Sequence, residues 1–322
     1  MTAAAAPTPA PATPGATAFG IANGNWESRT VDLGGGPIHY ADFGGAGPVM
    51  VLVHGIASSH LNWMGIGPRL AENHRVYAVD LPGYGLSELR DPATVHNSQK
   101  YLDRFIDHVS GGEKVIVFGH SMGGLVSLLE VAAHPEKVSE LILMAPAAPF
   151  PRRAVIGPLL FPVLFALLAP KRSAAIMRRT GGRLPTDRVV RETLKRISAP
   201  TSTLPEDIVQ AHVDLVSHQR ERYDWVERAL IESAASITRT TTRRRQYRRM
   251  LQDLRVPTLL MHGTRDKLVP YKAGIWLHRM RPDWSWRPLY GIGHMVQMED
   301  EDQVLTIVKE WEMAQKFMGT TA

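Results

Sequence analysis

Val115 to Gly124 reads VIVFGHSMGG, and the reading of this stretch decides the rest. A β-branched run, Val115-Ile116-Val117, gives way to the turn Gly119-His120-Ser121-Met122-Gly123. Leu125 to Ala133 then continues as an apolar, helix-compatible segment. Strand, tight turn with glycines two before and two after a serine, then helix is the setting in which G-x-S-x-G forms a nucleophile elbow. The reason is steric. A serine at the tip of so tight a turn is held in a strained backbone conformation, and side chains at the glycine positions would strike the adjacent strand or helix. The strain leaves a hydroxyl above the sheet, at the positive end of the helix that begins there.

Working outward, strands and helices alternate. Trp26 to Asp42 holds SRTVDL and IHYADF around Gly34-Gly35-Gly36-Pro37, the pattern of a β-hairpin. Val49 to Val53, VMVLV, is a continuous apolar strand of the kind buried on both faces of a parallel sheet. It ends in His54-Gly55-Ile56, and Leu61 to Ala71 has helical character. Arg75 to Val79 is the next strand, running into Asp80-Leu81-Pro82-Gly83, and Gln99 to Val109 has helical spacing. After the central strand and helix, Leu141 to Met144 is a strand. Val256 to Met261 is another, leading to His262-Gly263-Thr264-Arg265-Asp266. Ala273 to Met280 reads as a helix, Trp284 to Tyr290 as the last strand before Gly291-Ile292-Gly293-His294, and Glu301 to Phe317 as a closing helix. The alternation predicts an α/β fold: a mostly parallel twisted sheet with helices on both faces. Ligands bind such sheets at the carboxyl ends of the strands, where these loops lie.

The pattern changes between residues 150 and 250. Ala154 to Ala169, AVIGPLLFPVLFALLA, has sixteen residues and two prolines and is flanked by Arg152-Arg153 and Lys171-Arg172. It is too short and too broken for a membrane span. Pro185 to about Met250 then carries helical patterns without strand signals. The expected organisation is a disordered Ala/Pro-rich extension over 1–25, a core made of 26–149 and 251–322, and an inserted helical cap over 150–250.

The chain has 322 residues and a net charge of +6, and it contains no cysteine, which excludes disulfides and thiolate metal sites. The basic excess is local: Arg239 to Arg249 has six arginines in eleven residues. No nucleic-acid motif accompanies it, so a solvated helix face is expected and no nucleic-acid partner. Residues 1–25 lack a basic n-region and a continuous apolar core, so they do not read as a secretory signal. The expected location is cytoplasmic, with a lipid surface as a candidate contact of the cap.

Three loops after three strands supply Ser121, Asp266 and His294. A serine hydroxyl needs a base within hydrogen-bonding distance and a third group to orient that base. His294 is the candidate base among thirteen histidines, because it alone follows the last strand in a Gly-Ile-Gly loop. His54 and His262 precede glycine directly after strands, where turn packing explains them, and the side chain of His120 diverges from that of its neighbour Ser121. Asp266 is the candidate orienter. Asp80 is its rival, but Asp80 opens a Pro-Gly turn and is expected to fix that loop. An oxyanion hole needs two backbone N–H groups. Met122, first in its helix, and Ile56 are the candidates. His120, Phe161 and Phe165 are candidate substrate contacts, with Leu164 and Leu168 on the same apolar segment.

HGI after a strand, DLPGYGLS, GHSMGG, GTRDKLVP and GIGHMVQMED occur in that order. Together they resemble the α/β-hydrolase superfamily, whose order is Ser, Asp, His, and within it the cap-bearing serine hydrolases. That group includes carboxylesterases, monoacylglycerol-lipase-like enzymes, C–C hydrolases of ring-cleavage products and cofactor-free haloperoxidases. Epoxide hydrolases and haloalkane dehalogenases are similar but carry aspartate at the elbow, and Ser121 argues against both. The resemblance implies two-step acyl transfer through an acyl-enzyme, needing no metal or organic cofactor. The apolar cap favours a hydrophobic ester as substrate, making a carboxylesterase or lipase-like enzyme the first expectation. C–C bond hydrolysis and haloperoxidase-like perhydrolysis are the enzymatic alternatives, and a ligand receptor on the same fold is the non-enzymatic one.

Overall fold

The computed structural model describes residues 26–149 and 185–319. The expected N-terminal extension and the apolar segment bearing Phe161, Leu164, Phe165 and Leu168 lie outside the described residues. Eight strands form one sheet: β1 (Glu27–Asp32), β2 (Pro37–Gly44), β3 (Val49–Val53), β4 (Arg75–Val79), β5 (Val115–His120), β6 (Val138–Met144), β7 (Thr258–Gly263) and β8 (Ser285–Leu289). Their order is β1-β2-β4-β3-β5-β6-β7-β8. β1 and β2 form the expected hairpin, β2 is antiparallel to β4, and every later pairing is parallel.

Side-chain alternation explains why the central strands are apolar throughout. Val51, Val53, Val115 and Val117 pack into the core on one face of the sheet. Met50, Leu52, Ile116 and Phe118 pack into the core on the other. Each such side chain contributes roughly 1.5–3 kcal/mol on burial, so both faces must be covered. On the first face lie α2 (Val95–Ser110) and α3 (Met122–Ala133), joined by residues of α7 (Arg244–Asp253) and α8 (Tyr271–Met280). The second face takes residues of α4 (Thr186–Ile197), α5 (Glu206–Arg222), α9 (Val296–Glu299) and α10 (Glu301–Gly319). Between α5 and α7 runs α6 (Val226–Thr242).

The single helix expected over Leu61 to Ala71 is instead a 3-10 turn, His60–Trp63, followed by the four-residue α1 (Gly67–Leu70). Pro68 lacks the N–H that a continuing helix would need and is tolerated only in a first turn. Gly65 also lies against α10, where an added Cβ would fall 1.8 Å from Glu301 Oε1. The last-strand loop carries a short helix, α9, that the sequence pattern did not single out.

Residues 185–253 are helical, in α4 to α7. The arginine-rich stretch spans the end of α6 and most of α7. Arg239, Arg243, Arg245, Arg248 and Arg249 are exposed, while Tyr247 and Leu251 on the opposite side are buried. Tyr247 Oη donates to the Ala147 carbonyl at 3.0 Å, pinning α7 to the loop after β6. Among the described residues no helix is long and apolar enough to cross a membrane.

Candidate active site

β5 delivers Ser121 in the conformation expected of a strained elbow, with φ 54° and ψ −116°. Such a conformation costs roughly 1–3 kcal/mol and must be held by its surroundings. The Ser121 N–H donates to the Met144 carbonyl at 3.0 Å, and its carbonyl accepts from Leu125 N at 3.3 Å and Ala147 N at 2.9 Å. The flanking glycines permit the approach of neighbouring backbone. A Cβ at Gly123 would lie 2.1 Å from the Val53 carbonyl oxygen, and one at Gly119 would lie 2.4 Å from Ser127 Oγ.

The loops after β7 and β8 bring Asp266 and His294 together. His294 Nδ1 donates to Asp266 Oδ2 at 2.7 Å, which leaves Nε2 as the basic nitrogen. The other carboxylate oxygen, Asp266 Oδ1, accepts two backbone N–H groups, Leu268 and Val269, each at 2.8 Å. Burial alone would raise the Asp266 pKa. The charge of His294 and the hydrogen bonds from His262 and His294 outweigh it and hold the carboxyl well below the usual carboxylate range. Ser121, Asp266 and His294 are 4%, 7% and 2% exposed, so the group is shielded from bulk water.

The elbow and the histidine loop meet through His120. Its Nε2 donates to the His294 carbonyl at 2.9 Å, and the two rings lie 4.8 Å apart. Among the described residues no hydrogen bond joins Ser121 Oγ to His294 Nε2. Catalytic hydrogen bonds commonly tighten only when substrate binds. His120, singled out as a substrate contact, is 1% exposed and engaged by His294. Burial pushes its pKa down to about 3, so it is a neutral donor.

Asp80 faces other partners. Oδ2 accepts from His39 Nδ1 at 2.7 Å, His60 Nδ1 at 2.9 Å and Leu86 N at 3.0 Å, and Oδ1 accepts from His60 N at 2.6 Å. Burial would raise this carboxyl too, but the His60 charge and the bonds from His39 and His60 hold it well below the usual range. Asp80 therefore fixes the loops after β3 and β4, and both Nδ1–H groups of this His-Asp-His trio are spent on the carboxylate. His54 is fixed likewise, with Nδ1 donating to the Gly55 carbonyl at 2.7 Å and Nε2 accepting from Leu81 N at 2.9 Å.

The two candidate oxyanion donors lie beside Ser121. Met122 opens α3, and Ile56 follows Gly55, whose added Cβ would lie 3.6 Å from Ser121 Oγ. Neither amide has a backbone acceptor among the described residues. Free N–H groups flanking a nucleophile are what a developing oxyanion requires.

Two neighbours of the triad are not legible as such in the sequence: His262, which reads there as a turn histidine, and Glu299. His262 Nε2 donates to the Val269 carbonyl at 2.9 Å and lies 3.4 Å from Asp266 Oδ2. Glu299, the last residue of α9, accepts from the amides on either side of His294: Gly293 N at 2.9 Å on Oε2 and Met295 N at 3.0 Å on Oε1. The one available signal was position: His262 four residues before Asp266, and Glu299 five after His294.

Residues 48–301 match the family model described as alpha/beta hydrolase fold. A 2-hydroxy-6-oxononadienedioate/2-hydroxy-6-oxononatrienedioate hydrolase of Cupriavidus pinatubonensis is 26% identical over 81% of this chain and 86% of its own length. A pimeloyl-[acyl-carrier protein] methyl ester esterase of Aeromonas hydrophila is 28% identical over 72% of this chain and 82% of its own. Among solved structures, the 2-hydroxy-6-oxo-6-phenylhexa-2,4-dienoate hydrolase of Rhodococcus sp. strain RHA1 superposes with a TM-score of 0.71 at 24% identity, covering 89% of this chain and 99% of that one.

Proposed function

We propose that this chain, which belongs to the alpha/beta-hydrolase family, is a serine hydrolase cleaving the carbon–carbon bond beside a ketone in 2-hydroxy-6-oxo-dienoate ring-cleavage products. The observation that carries the reading is the similarity to curated hydrolases of that class along most of both chains. Its chemistry fits the residues at hand. His294 Nε2 takes the proton of Ser121 Oγ, which adds to the ketone carbon. The oxyanion that forms is received by the Ile56 and Met122 amides. Collapse breaks the carbon–carbon bond in the substrate's 2,6-dioxo-3-ene tautomer, formed when the 2-hydroxyl proton moves to C5, and the departing electron pair delocalises over the enone as a dienolate. His294 returns the proton to the dienolate oxygen, releasing a 2-hydroxydienoate, and water then hydrolyses the acyl-serine to the acid.

The same groups serve an ester, in which an alkoxide leaves instead of a stabilised carbanion. Similarity to a methyl ester esterase at 28% identity supports that second reading. The sequence expectation put the ester first. The order is reversed here on the similarity to the ring-cleavage hydrolases, since serine attack on a carbonyl is common to both reactions and only the leaving group differs.

A direct comparison of turnover tests this. A 2-hydroxy-6-oxo-dienoate is coloured and loses absorbance on cleavage; p-nitrophenyl butyrate serves as the ester. The dienoate is expected to give the larger kcat/KM, and Ser121→Ala to abolish both activities along with labelling by a fluorophosphonate. An ester preference above a hundredfold would move the assignment to the second reading. Turnover of neither would overturn both.

A further inference from the structure

The loop that carries His294 is tied to the helical segment 185–253 by a single carboxylate. Glu299 Oε2 accepts from Gly293 N at 2.9 Å, from Ala199 N at 2.9 Å and from Ser202 Oγ at 2.5 Å. Its Oε1 accepts from Met295 N at 3.0 Å. The amide between these two, His294 N, donates to the Ile197 carbonyl at 2.9 Å. Three consecutive amides, 293 to 295, are thus all engaged. Two are held by Glu299 and one by the end of α4, while Glu299 also grips Ala199 and Ser202 in the turn that follows α4. Contact is tight: a Cβ at Gly293 would lie 2.4 Å from Ala199 N.

No Lys, Arg or His forms an ion pair with Glu299 among the described residues. Its charge is met entirely by N–H and O–H donors, and hydrogen bonds to an ionised acceptor are roughly twice as strong as neutral ones. An ordinary loop anchor would engage one side of a turn. This carboxylate brackets the candidate base and joins it to residues a hundred positions earlier in the chain.

We propose that Glu299 is a positioning residue for His294, setting the base from the 199–202 turn so that the seating of that turn and the placement of the imidazole are coupled. This rests on the reading of His294 as the base of Ser121. Misplacement of a catalytic group by about 1 Å can cost on the order of 10²-fold in rate, so a loop held by two bonds to a side chain that two more bonds tie to the 199–202 turn is a sensitive element.

Glu299→Gln preserves shape but not acceptor capacity. Whichever way the amide is turned, its NH2 meets at least one N–H that the carboxylate had accepted. Its kcat is expected to fall roughly 10- to 100-fold. KM for the preferred substrate should change little, and the rate of fluorophosphonate labelling of Ser121 should fall in parallel with kcat. The far-downfield proton resonance of His294 Nδ1–H should broaden or shift in the folded variant. Ser202→Ala removes the shortest of the four bonds from the far side without touching the histidine loop, and should lower kcat about threefold or more. A folded Glu299→Gln protein with kcat and labelling rate within twofold of the parent would overturn the proposal. If Glu299→Gln fails to fold, Ser202→Ala decides it: kcat within twofold refutes the coupling. Full activity in Ser121→Ala would instead overturn the underlying reading of the triad, which keeps the two failures separate.

Discussion

Asp266→Asn provides the most exacting test of the triad geometry. Asp266 Oδ1 accepts two backbone N–H groups at 2.8 Å. An asparagine must place its oxygen there, because its NH2 would face two donors. The NH2 is then forced into the position of Oδ2, which is 2.7 Å from His294 Nδ1. Facing a donor, Nδ1 can only accept, so the imidazole proton moves to Nε2, the nitrogen that must take the proton of Ser121. The substitution leaves the fold in place but inverts the tautomer. For a Ser-His-Asp triad such an inversion lowers kcat by about 10⁴-fold, or about 5.4 kcal/mol of transition-state stabilisation. Steady-state kinetics at pH 7 to 8 would read this directly, with circular dichroism to check folding. Asp80→Asn serves as the contrast. Its carboxylate faces His39 and His60, so the His294 tautomer is untouched. It should lose on the order of 1–3 kcal/mol of stability with less than tenfold loss in kcat. Near-normal turnover in Asp266→Asn, or equal loss in the two variants, would refute the argument.

Two further substitutions probe the scaffold. Glu130, buried on α3 with Gln99 Nε2 bonded to one oxygen at 2.7 Å, has its pKa raised to about 7, chiefly by burial. A folded-state pKa above the unfolded value of 4.5 means that the folded protein holds the proton longer, so stability falls as pH rises from about 4.5 to 7 and is then level. Glu130→Gln should remove that slope and raise the unfolding free energy read from urea titration at pH 8, by on the order of 1–3 kcal/mol; an unchanged pH profile would contradict it. Gly123→Ala would put a Cβ 2.1 Å from the Val53 carbonyl oxygen, where only backbone movement can relieve it. A loss of about 3 kcal/mol or more is expected in denaturant titration, and a stable, active variant would show that the elbow is less constrained than drawn.

The positions of Ser121, Asp266 and His294 at the ends of β5, β7 and β8 were legible in the sequence. Short apolar strands, turn residues and chain order are local signals, and a sheet buried on both faces writes them plainly, as at Val49–Val53. The role of Asp80 as a loop clamp was also legible from the Pro-Gly turn it opens. The partners of the triad were not. Nothing local distinguishes His262, 3.4 Å from Asp266, from a turn histidine, or joins Ala199 to Glu299 across a hundred residues. The break of the expected helix near Gly65 likewise depends on how closely α10 packs.

By itself, the sequence determined the fold and the placing of Ser121, Asp266 and His294, in that order, on the loops after β5, β7 and β8, because each follows from burial periodicity and steric demands within a few residues. Only the tertiary structure decided which nitrogen of His294 is free, which oxygen of Asp266 is already occupied, and that one carboxylate holds the histidine loop to the helices beyond β6. Hydrogen bonds are short and directional, so their partners are settled only where distant loops meet.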